Sequence, residues 1–252
     1  MSAIAFAHCD PPGGMNPAMQ DALERSRTGA SPDREPPADS AKRRQIIEGA
    51  RAVFLAQGFD RASMDEIARA AGVSKGTLYV YFDNKQRLFE ELIVEDKRAQ
   101  AEQIVDVDLA DRDVRGVLMR FGVSLCEMMQ RPQTIALIRI VIAASSQFPE
   151  IGRTLYAAGP AYGISRISAF FDAKCAEGLL WMPDTQQAAA QFLELCMCRV
   201  LKPLLFCVSE PAPREKLEAN VASAVDMILA AYGPSAHPPR DQNRAPVDHV
   251  ET

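Results

Sequence analysis

Histidine is nearly absent from this chain of 252 residues, and its three copies, His8, His237 and His249, lie close to the two ends. We expect both ends to be disordered, so the folded part lacks the histidine needed for a Ser-His-Asp or Cys-His catalytic arrangement or for a His-ligated zinc site. A phosphate-binding glycine loop of the GxxxxGK type is also missing. The sequence therefore argues against an enzyme, and it predicts no metal site and no cofactor.

Long apolar runs are missing as well. No segment approaches the roughly 20 apolar residues that a membrane-spanning helix needs, so we expect no contact with a membrane. The N-terminal segment lacks the basic start and long apolar core of a signal peptide. The six cysteines are therefore expected to be reduced thiols in the cytoplasm.

The spacing of the cysteines gives little indication of a metal site or a reactive thiol. Cys196 and Cys198 are two positions apart on a predicted helix, about 200° around its axis, so they cannot form a simple two-thiolate chelate. We expect buried, inert thiols. A redox sensor that works through its thiols is the alternative.

Clusters of proline and glycine mark both ends of the chain. Residues 1–40 are predicted to be a disordered leader and residues 234–252 a disordered tail. Between them, apolar residues recur at three- and four-residue spacing and strand alternation is absent, which predicts an all-α fold. We expect helices over residues 42–57, 64–71, 75–81, 84–105, 111–130, 132–146, 148–157, 160–177, 184–208 and 214–232.

Residues 63 to 89 are the most informative part of the sequence. Ser63 followed by Glu66 is a capping box that begins a short helix. Gly72 suits a helix end with positive φ, and Ser74 can cap the next helix. The linker from Gly72 to Ser74 has the length and the glycine of a helix-turn-helix. The helix after Ser74 has one large aliphatic anchor, Leu78, and many hydrogen-bond donors, which indicates a contact with the major groove of DNA.

The charge of the chain is unevenly distributed. The net charge is −5, but residues 41–88 hold nine Lys/Arg against five Asp/Glu, a net of +4. Positive charge is therefore concentrated in the helix-turn-helix unit, where contacts with phosphate are expected.

Residues 42–98 closely resemble the DNA-binding domain of the TetR family of transcriptional regulators. The resemblance is carried by Arg44-xx-Ile47-xx-Ala50-xxx-Phe54-xxx-Gly58-Phe59 and Ser63-Met64-xx-Ile67-Ala68-xx-Ala71-Gly72-Val73-Ser74-Lys75-Gly76-Thr77-Leu78-Tyr79-x-Tyr81-Phe82-xx-Lys85-xx-Leu88. A weaker resemblance to the AefR-like C-terminal domains runs from Leu137 to Pro160. Together the two resemblances imply an N-terminal three-helix DNA-binding domain over residues 41–101 and a larger α-helical effector-binding and dimerisation domain over residues 102–233.

The resemblance implies which residues contact double-stranded DNA. Lys75 can reach guanine or phosphate, Gly76 allows close approach, and Thr77 can contact thymine or phosphate. Tyr79, Tyr81 and Lys85 are expected to clamp the backbone. The full predicted set is Ser63, Ser74, Lys75, Gly76, Thr77, Tyr79, Tyr81 and Lys85.

The resemblance also implies a pocket for an unknown small-molecule effector within residues 105–208. Large apolar side chains and one arginine are the candidates for its lining, although any of them can equally belong to the ordinary core. These candidates are Met119, Phe121, Met128, Arg139, Phe148, Tyr156, Tyr162, Phe170, Trp181 and Phe192.

The last two predicted helices are expected to form a homodimer interface by resemblance to the family. The alternative is that their apolar stripes close the core of the protomer. The function expected is that of a cytoplasmic, ligand-responsive repressor that binds a palindromic operator as a homodimer. The alternative is a ligand- or partner-binding module that has lost operator recognition.

Overall fold

The computed structural model describes residues 37–104 and 107–234, which form α-helices and no β-strand, so the predicted all-α fold is confirmed. The helices are α1 (Pro37–Gln57), α2 (Met64–Ala70), α3 (Lys75–Tyr81), α4 (Lys85–Gln103), α5 (Val114–Met129), α6 (Pro132–Ser145), α7 (Pro149–Tyr156), α8 (Tyr162–Ala176), α9 (Thr185–Met197), α10 (Leu201–Leu205) and α11 (Arg214–Tyr232). Helix α1 begins at Pro37, within the last residues of the predicted leader; the rest of that leader, and the predicted tail after Pro234, lie outside the described residues.

A first core is built on helices α1 to α4. The apolar stripe predicted for α1 is buried, and its Phe54 ring lies 4.6 Å from the ring of Phe89 on α4. Leu78, the aliphatic anchor of α3, is fully buried in the same core. Helices α6 and α7 complete it with Leu137 and Ile151, among others.

The local signals at the helix ends act as the sequence predicts. Ser63 caps α2 in a capping box with Glu66, Ser74 caps α3, and Asn84 caps α4. Gly72 has φ of 64°, in the left-handed region that glycine tolerates best. These caps and this turn set the direction in which α3 leaves α2.

A close approach of α1 to α2 fixes the helix-turn-helix on the first core. A Cβ atom on Gly49 of α1 would lie 2.6 Å from Ala71, so only glycine fits there. Gln45 donates a hydrogen bond of 2.6 Å to the Ala71 carbonyl, which holds the end of α2.

A second core joins helices α5, α8, α9 and α11. Phe170, Phe192 and Val221 are fully buried in it. Helix α5 packs on α11 so closely that a Cβ atom on Gly122 would lie 2.6 Å from a methyl of Val221.

Pro160 departs from the prediction that it begins a helix. Instead, α7 runs into α8 through a π-helical turn, Ala157–Ala161, which contains Pro160. Proline has no N–H to donate, and its ring collides with the carbonyl four residues earlier, which here is that of Tyr156. The wider π turn accommodates both defects, so the rod continues from Pro149 to Ala176.

The predicted helix over residues 184–208 is divided into α9 and α10. The break comes before Pro203 rather than at it, because the proline ring conflicts with the carbonyl of Arg199, four residues earlier. Arg199 has φ of 62°, outside the helical region.

Candidate nucleic-acid interface

Helix α3 exposes four of its seven residues. Leu78 is fully buried, whereas Lys75, Gly76, Tyr79 and Val80 are exposed. At 100° per residue, Gly76 and Val80 stand about 160° and 200° around the axis from Leu78. They therefore form the outermost line of the helix, with hydrogen-bonding residues on either side.

Lys75 carries the positive charge of this helix. Its Nζ atom lies 2.6 Å from Asp65 Oδ1 on α2, and both side chains are largely exposed. The hydrogen bond to Asp65 and the charge of that carboxylate raise the pKa of Lys75 above its ordinary value. The ammonium is therefore charged and lies at the surface.

Gly76 and Thr77 occupy the first turn of α3. A Cβ atom on Gly76 would meet only Ser74 Oγ, at 3.8 Å, so the fold itself does not demand glycine there. The Thr77 hydroxyl lies 2.8 Å from the Ser74 hydroxyl, and the Thr77 N–H donates to Ser74 Oγ at 3.0 Å. Ser74 is therefore committed to capping.

The two predicted tyrosines differ in their surroundings. Tyr79 is 43% exposed on the outer part of α3. Tyr81 is half-buried and packs against the first core. Tyr79 is therefore the more accessible of the two to a partner.

Lys85 is turned inward, unlike Lys75. Its Nζ atom donates to the carbonyls of Phe59, Asp60 and Ala62 at 2.7, 3.1 and 3.0 Å, and lies 4.5 Å from the centre of the Phe59 ring. Burial lowers its pKa from the ordinary value. All three ammonium hydrogens hold the loop after α1, so a phosphate could bind Lys85 only if some of these bonds broke.

Ser63 is occupied by its own helix. Its hydroxyl lies 2.7 Å from Glu66 Oε2, and its N–H donates to the same oxygen at 3.1 Å. Hydrogen bonds from the Ser63 hydroxyl, the Gln57 side chain and the Ser63 N–H lower the pKa of Glu66. An ionised carboxylate therefore already bonds the Ser63 hydroxyl and N–H, which are the groups that a DNA phosphate would need at this helix start.

Val80 is not among the DNA contacts predicted from the sequence, although its side chain is 82% exposed on α3. It has the highest exposed fraction among the exposed large apolar side chains of the described residues. The signal was present in the spacing: a residue two positions from a buried anchor on a helix lies on the opposite face.

The ten predicted effector contacts are divided between the two cores and the surface. Met119, Phe121, Phe170 and Phe192 belong to the second core, while Phe148 packs against Phe59 in the first. Met128 is buried, and the remaining aromatic candidates are exposed: Tyr156, Tyr162 and Trp181. Neither of the two cavities described below is lined by any of the ten.

Arg139, one of the predicted ligand contacts, makes hydrogen bonds within the chain. Its guanidinium donates to the carbonyls of Leu204 and Leu205 at 2.5 and 3.0 Å, and Nη2 lies 2.9 Å from Cys207 Sγ. Both carbonyls lie in the last turn of α10. Arg139 therefore ties α6 to the end of α10.

A narrow cavity of about 10 Å³ lies between α1, α4 and α6. An open groove of about 640 Å³ runs along α9, α10 and α11 and is lined by Leu195, Leu201, Lys202, Met227 and Tyr232, among others.

The predicted apolar face of α11 is divided between two surroundings. Leu217, Val221, Ala224, Val225 and Ile228 are buried in the second core of the protomer itself. The exposed part of α11 includes Met227, which is 55% exposed and borders the open groove. The alternative that this stripe closes the protomer core therefore holds for those five residues.

The described cysteines are all free thiols. Burial raises the pKa of Cys126 to about 12 and also raises the pKa of Cys196. The Cys126 thiol donates to the Cys196 carbonyl at 3.2 Å. These two buried thiols are held in their protonated form, which is poor in nucleophilic reactivity.

An exposed, polar second helix after a tight glycine turn defines a helix-turn-helix DNA-binding protein. Two family descriptions match the chain: "Bacterial regulatory proteins, tetR family" over residues 46–92, and "AefR-like transcriptional repressor, C-terminal domain" over residues 116–234. The chain belongs to the TetR family of transcriptional regulators, which are DNA-binding proteins and not enzymes.

Solved structures share the fold over nearly their whole length. The flavonoid-responsive regulator FrrA is 31% identical, with a TM-score of 0.70 and 77% of this chain and 98% of that one covered. A TetR-family regulator from Mesorhizobium loti is 27% identical, with a TM-score of 0.72 and the same coverage.

Curated relatives match over shorter segments. The repressor Rv1474c of Mycobacterium tuberculosis is 39% identical over 62 residues, 25% of this chain and 33% of that protein. The regulator UidR of Escherichia coli K12 is 32% identical over 111 residues, 38% of this chain and 57% of that protein. The chain thus spans about a third to just over half of the length of these relatives.

None of the helices in the described ranges has the length and apolar character needed to cross a membrane.

Proposed function

We propose that the protein is a repressor that binds a palindromic operator as a homodimer and is released by a small-molecule effector. The observation that carries this proposal is α3, which buries one large side chain, Leu78, and exposes Lys75, Gly76, Tyr79 and Val80. Two such helices in a dimer would enter successive major grooves about 34–36 Å apart. A regulator of this kind acts on chromosomal DNA, so we also propose a cytoplasmic location.

The test is selection of random duplex DNA with the purified protein, followed by sequencing. We expect an enriched inverted repeat whose half-sites are about one helical turn apart. The Tyr79→Ala variant should bind the selected repeat more weakly, whereas Tyr156→Ala, which removes an exposed tyrosine on α7, should bind it as the wild type does. Salt-sensitive binding without any enriched sequence would favour the module that has lost operator recognition.

The proposed dimer rests on the exposed groove along α9 to α11. Its apolar lining, which includes Leu195, Leu201 and Met227, would be covered by the same helices of a second copy. Sedimentation at micromolar concentration should show a dimer, and Met227→Arg should shift it toward monomer. An unchanged dimer in that variant would place the interface elsewhere.

The effector is proposed to favour a conformer in which the two recognition helices no longer fit the operator. The shift is set by the difference in its affinity for the two conformers. Flavonoids are the first compounds to test, because FrrA is flavonoid-responsive. A compound that raises the melting temperature without loosening the operator complex would contradict this mechanism.

A further inference from the structure

Two residues of α3 have no explanation within the chain's own packing. Gly76 is helical and meets no atom that would exclude a side chain, although glycine is unfavourable in a helix. Val80 is 82% exposed, and a β-branched residue is also a modest helix former. Each residue weakens the helix, and neither is compensated by burial in the core.

The two residues are neighbours on the outermost line of the helix. A spacing of four residues places them one above the other. Helical side chains lean toward the N-terminus, so the Val80 side chain leans toward Gly76, which has no side chain of its own. Lys75 and Tyr79 border this line on one side, and Thr77 borders it on the other. The result is a narrow apolar strip between hydrogen-bonding side chains.

We propose that Val80, lying over Gly76, contacts the 5-methyl group of a thymine in the major groove of each operator half-site. This inference rests on the proposed function. The thymine methyl is the apolar group that base edges present in the major groove. A cytosine at the same position has only a hydrogen where thymine has the methyl, so it offers valine no apolar group to contact. The concentrated positive charge of residues 41–88 supports DNA as the occupant.

The experiment uses the full-length protein and its selected operator. Each half-site thymine is replaced symmetrically by deoxyuridine, which removes only the methyl group, and the dissociation constant is measured for wild type and Val80→Ala. At one thymine position, wild-type affinity should fall about fourfold for each half-site and about 15-fold for both. For Val80→Ala the same replacement should change affinity less than twofold.

The control is Val94→Ala, the same exchange at a 49% exposed valine on α4. This variant should keep the full wild-type response to deoxyuridine. The inference is overturned if no deoxyuridine position matters, if the half-sites contain no thymine, or if wild type and Val80→Ala respond equally. Each of those results leaves the selected operator standing; failure to select any operator would overturn the proposed function as well.

Discussion

At the scale of single residues, two lysines from the same motif have opposite surroundings. Lys75 is exposed and paired with Asp65, so its charge is available at the surface after a simple exchange of partners. Lys85 donates to three backbone carbonyls and covers the Phe59 ring. The Lys75 charge is thus exposed at the surface, whereas the Lys85 charge holds the loop after α1.

Replacing each lysine by methionine should separate these roles. Lys85→Met loses three charged hydrogen bonds, and we expect the free energy of unfolding in urea to fall by about 1.5–3 kcal/mol. Lys75→Met should keep the wild-type stability but lower the salt dependence of DNA binding. A Lys85→Met protein as stable as the wild type would show that the loop after α1 does not depend on this side chain.

Gly76 allows a second prediction in which stability and function move in opposite directions. Gly76→Ala removes an unfavourable helical residue without an internal clash, so stability should rise by up to about 1 kcal/mol. Operator affinity should fall at least tenfold, about 1.4 kcal/mol, because the added methyl keeps the helix away from the base edges. Urea unfolding and operator titration check the two halves; tighter or unchanged operator binding would contradict the close approach.

At the scale of elements, the sequence predicts the features that depend only on residues a few positions apart, such as helix caps. The caps Ser63, Ser74 and Asn84 each bond a backbone N–H three positions later, so the pattern alone reveals them. The break before Pro203 and the π turn at Pro160 are harder to predict. In both cases a proline conflicts with a carbonyl four residues upstream, and the surrounding packing decides whether the helix breaks or widens.

The capping box of α2 should make stability depend on acid pH. The pKa of Glu66 is lowered in the folded state, so its ionised form contributes stability above its ordinary value of 4.5, and this stability is lost as pH falls through the folded pKa. Wild type should therefore exceed Glu66→Gln in urea midpoint at pH 7, and the difference should shrink below about pH 4.5. In a Ser63→Ala background the pH-dependent difference should be smaller, because the hydroxyl bond to Glu66 is gone. A difference that stays constant from pH 7 to pH 3 would contradict this assignment.

At the scale of the whole molecule, the first core is not made by the DNA-binding helices alone. Leu137 and Val141 on α6 and Ile151 on α7 are buried among residues of α1 to α4. Arg51 on α1 bonds Asp96 on α4 at 2.8 Å, and Gln100, also on α4, reaches toward Thr134 on α6. Side chains separated by 34 or more positions in these pairs could not be matched from spacing alone.

A substitution on α6 should therefore weaken the DNA-binding helices. Leu137→Ala removes a buried side chain, and we expect a loss of about 2–4 kcal/mol in unfolding free energy together with faster hydrogen exchange in α1 and α4. Ile142→Ala, at a 59% exposed position of the same helix, is the control and should change neither. Faster exchange confined to α6 would show that the shared core does not couple these helices.

The sequence could not decide between a protomer core and a dimer interface for α11. Both need a stripe of apolar residues at helical spacing, and the pattern from Leu217 to Ile228 satisfies either. Packing against α5 decides the matter for the buried residues, while Met227 on the next face stays open. Which face of a helix meets its own chain depends on distant partners.

The π turn at Ala157–Ala161 sets the rotation of α7 relative to α8 about their common axis. Ile151 on one side of the turn is set into the first core, and Ile167 and Phe170 on the other side are set into the second. Each residue inserted into or deleted from the turn would rotate α7 by about 100° relative to α8. A deletion there would therefore act as a change of angle between two cores and not as a change of length.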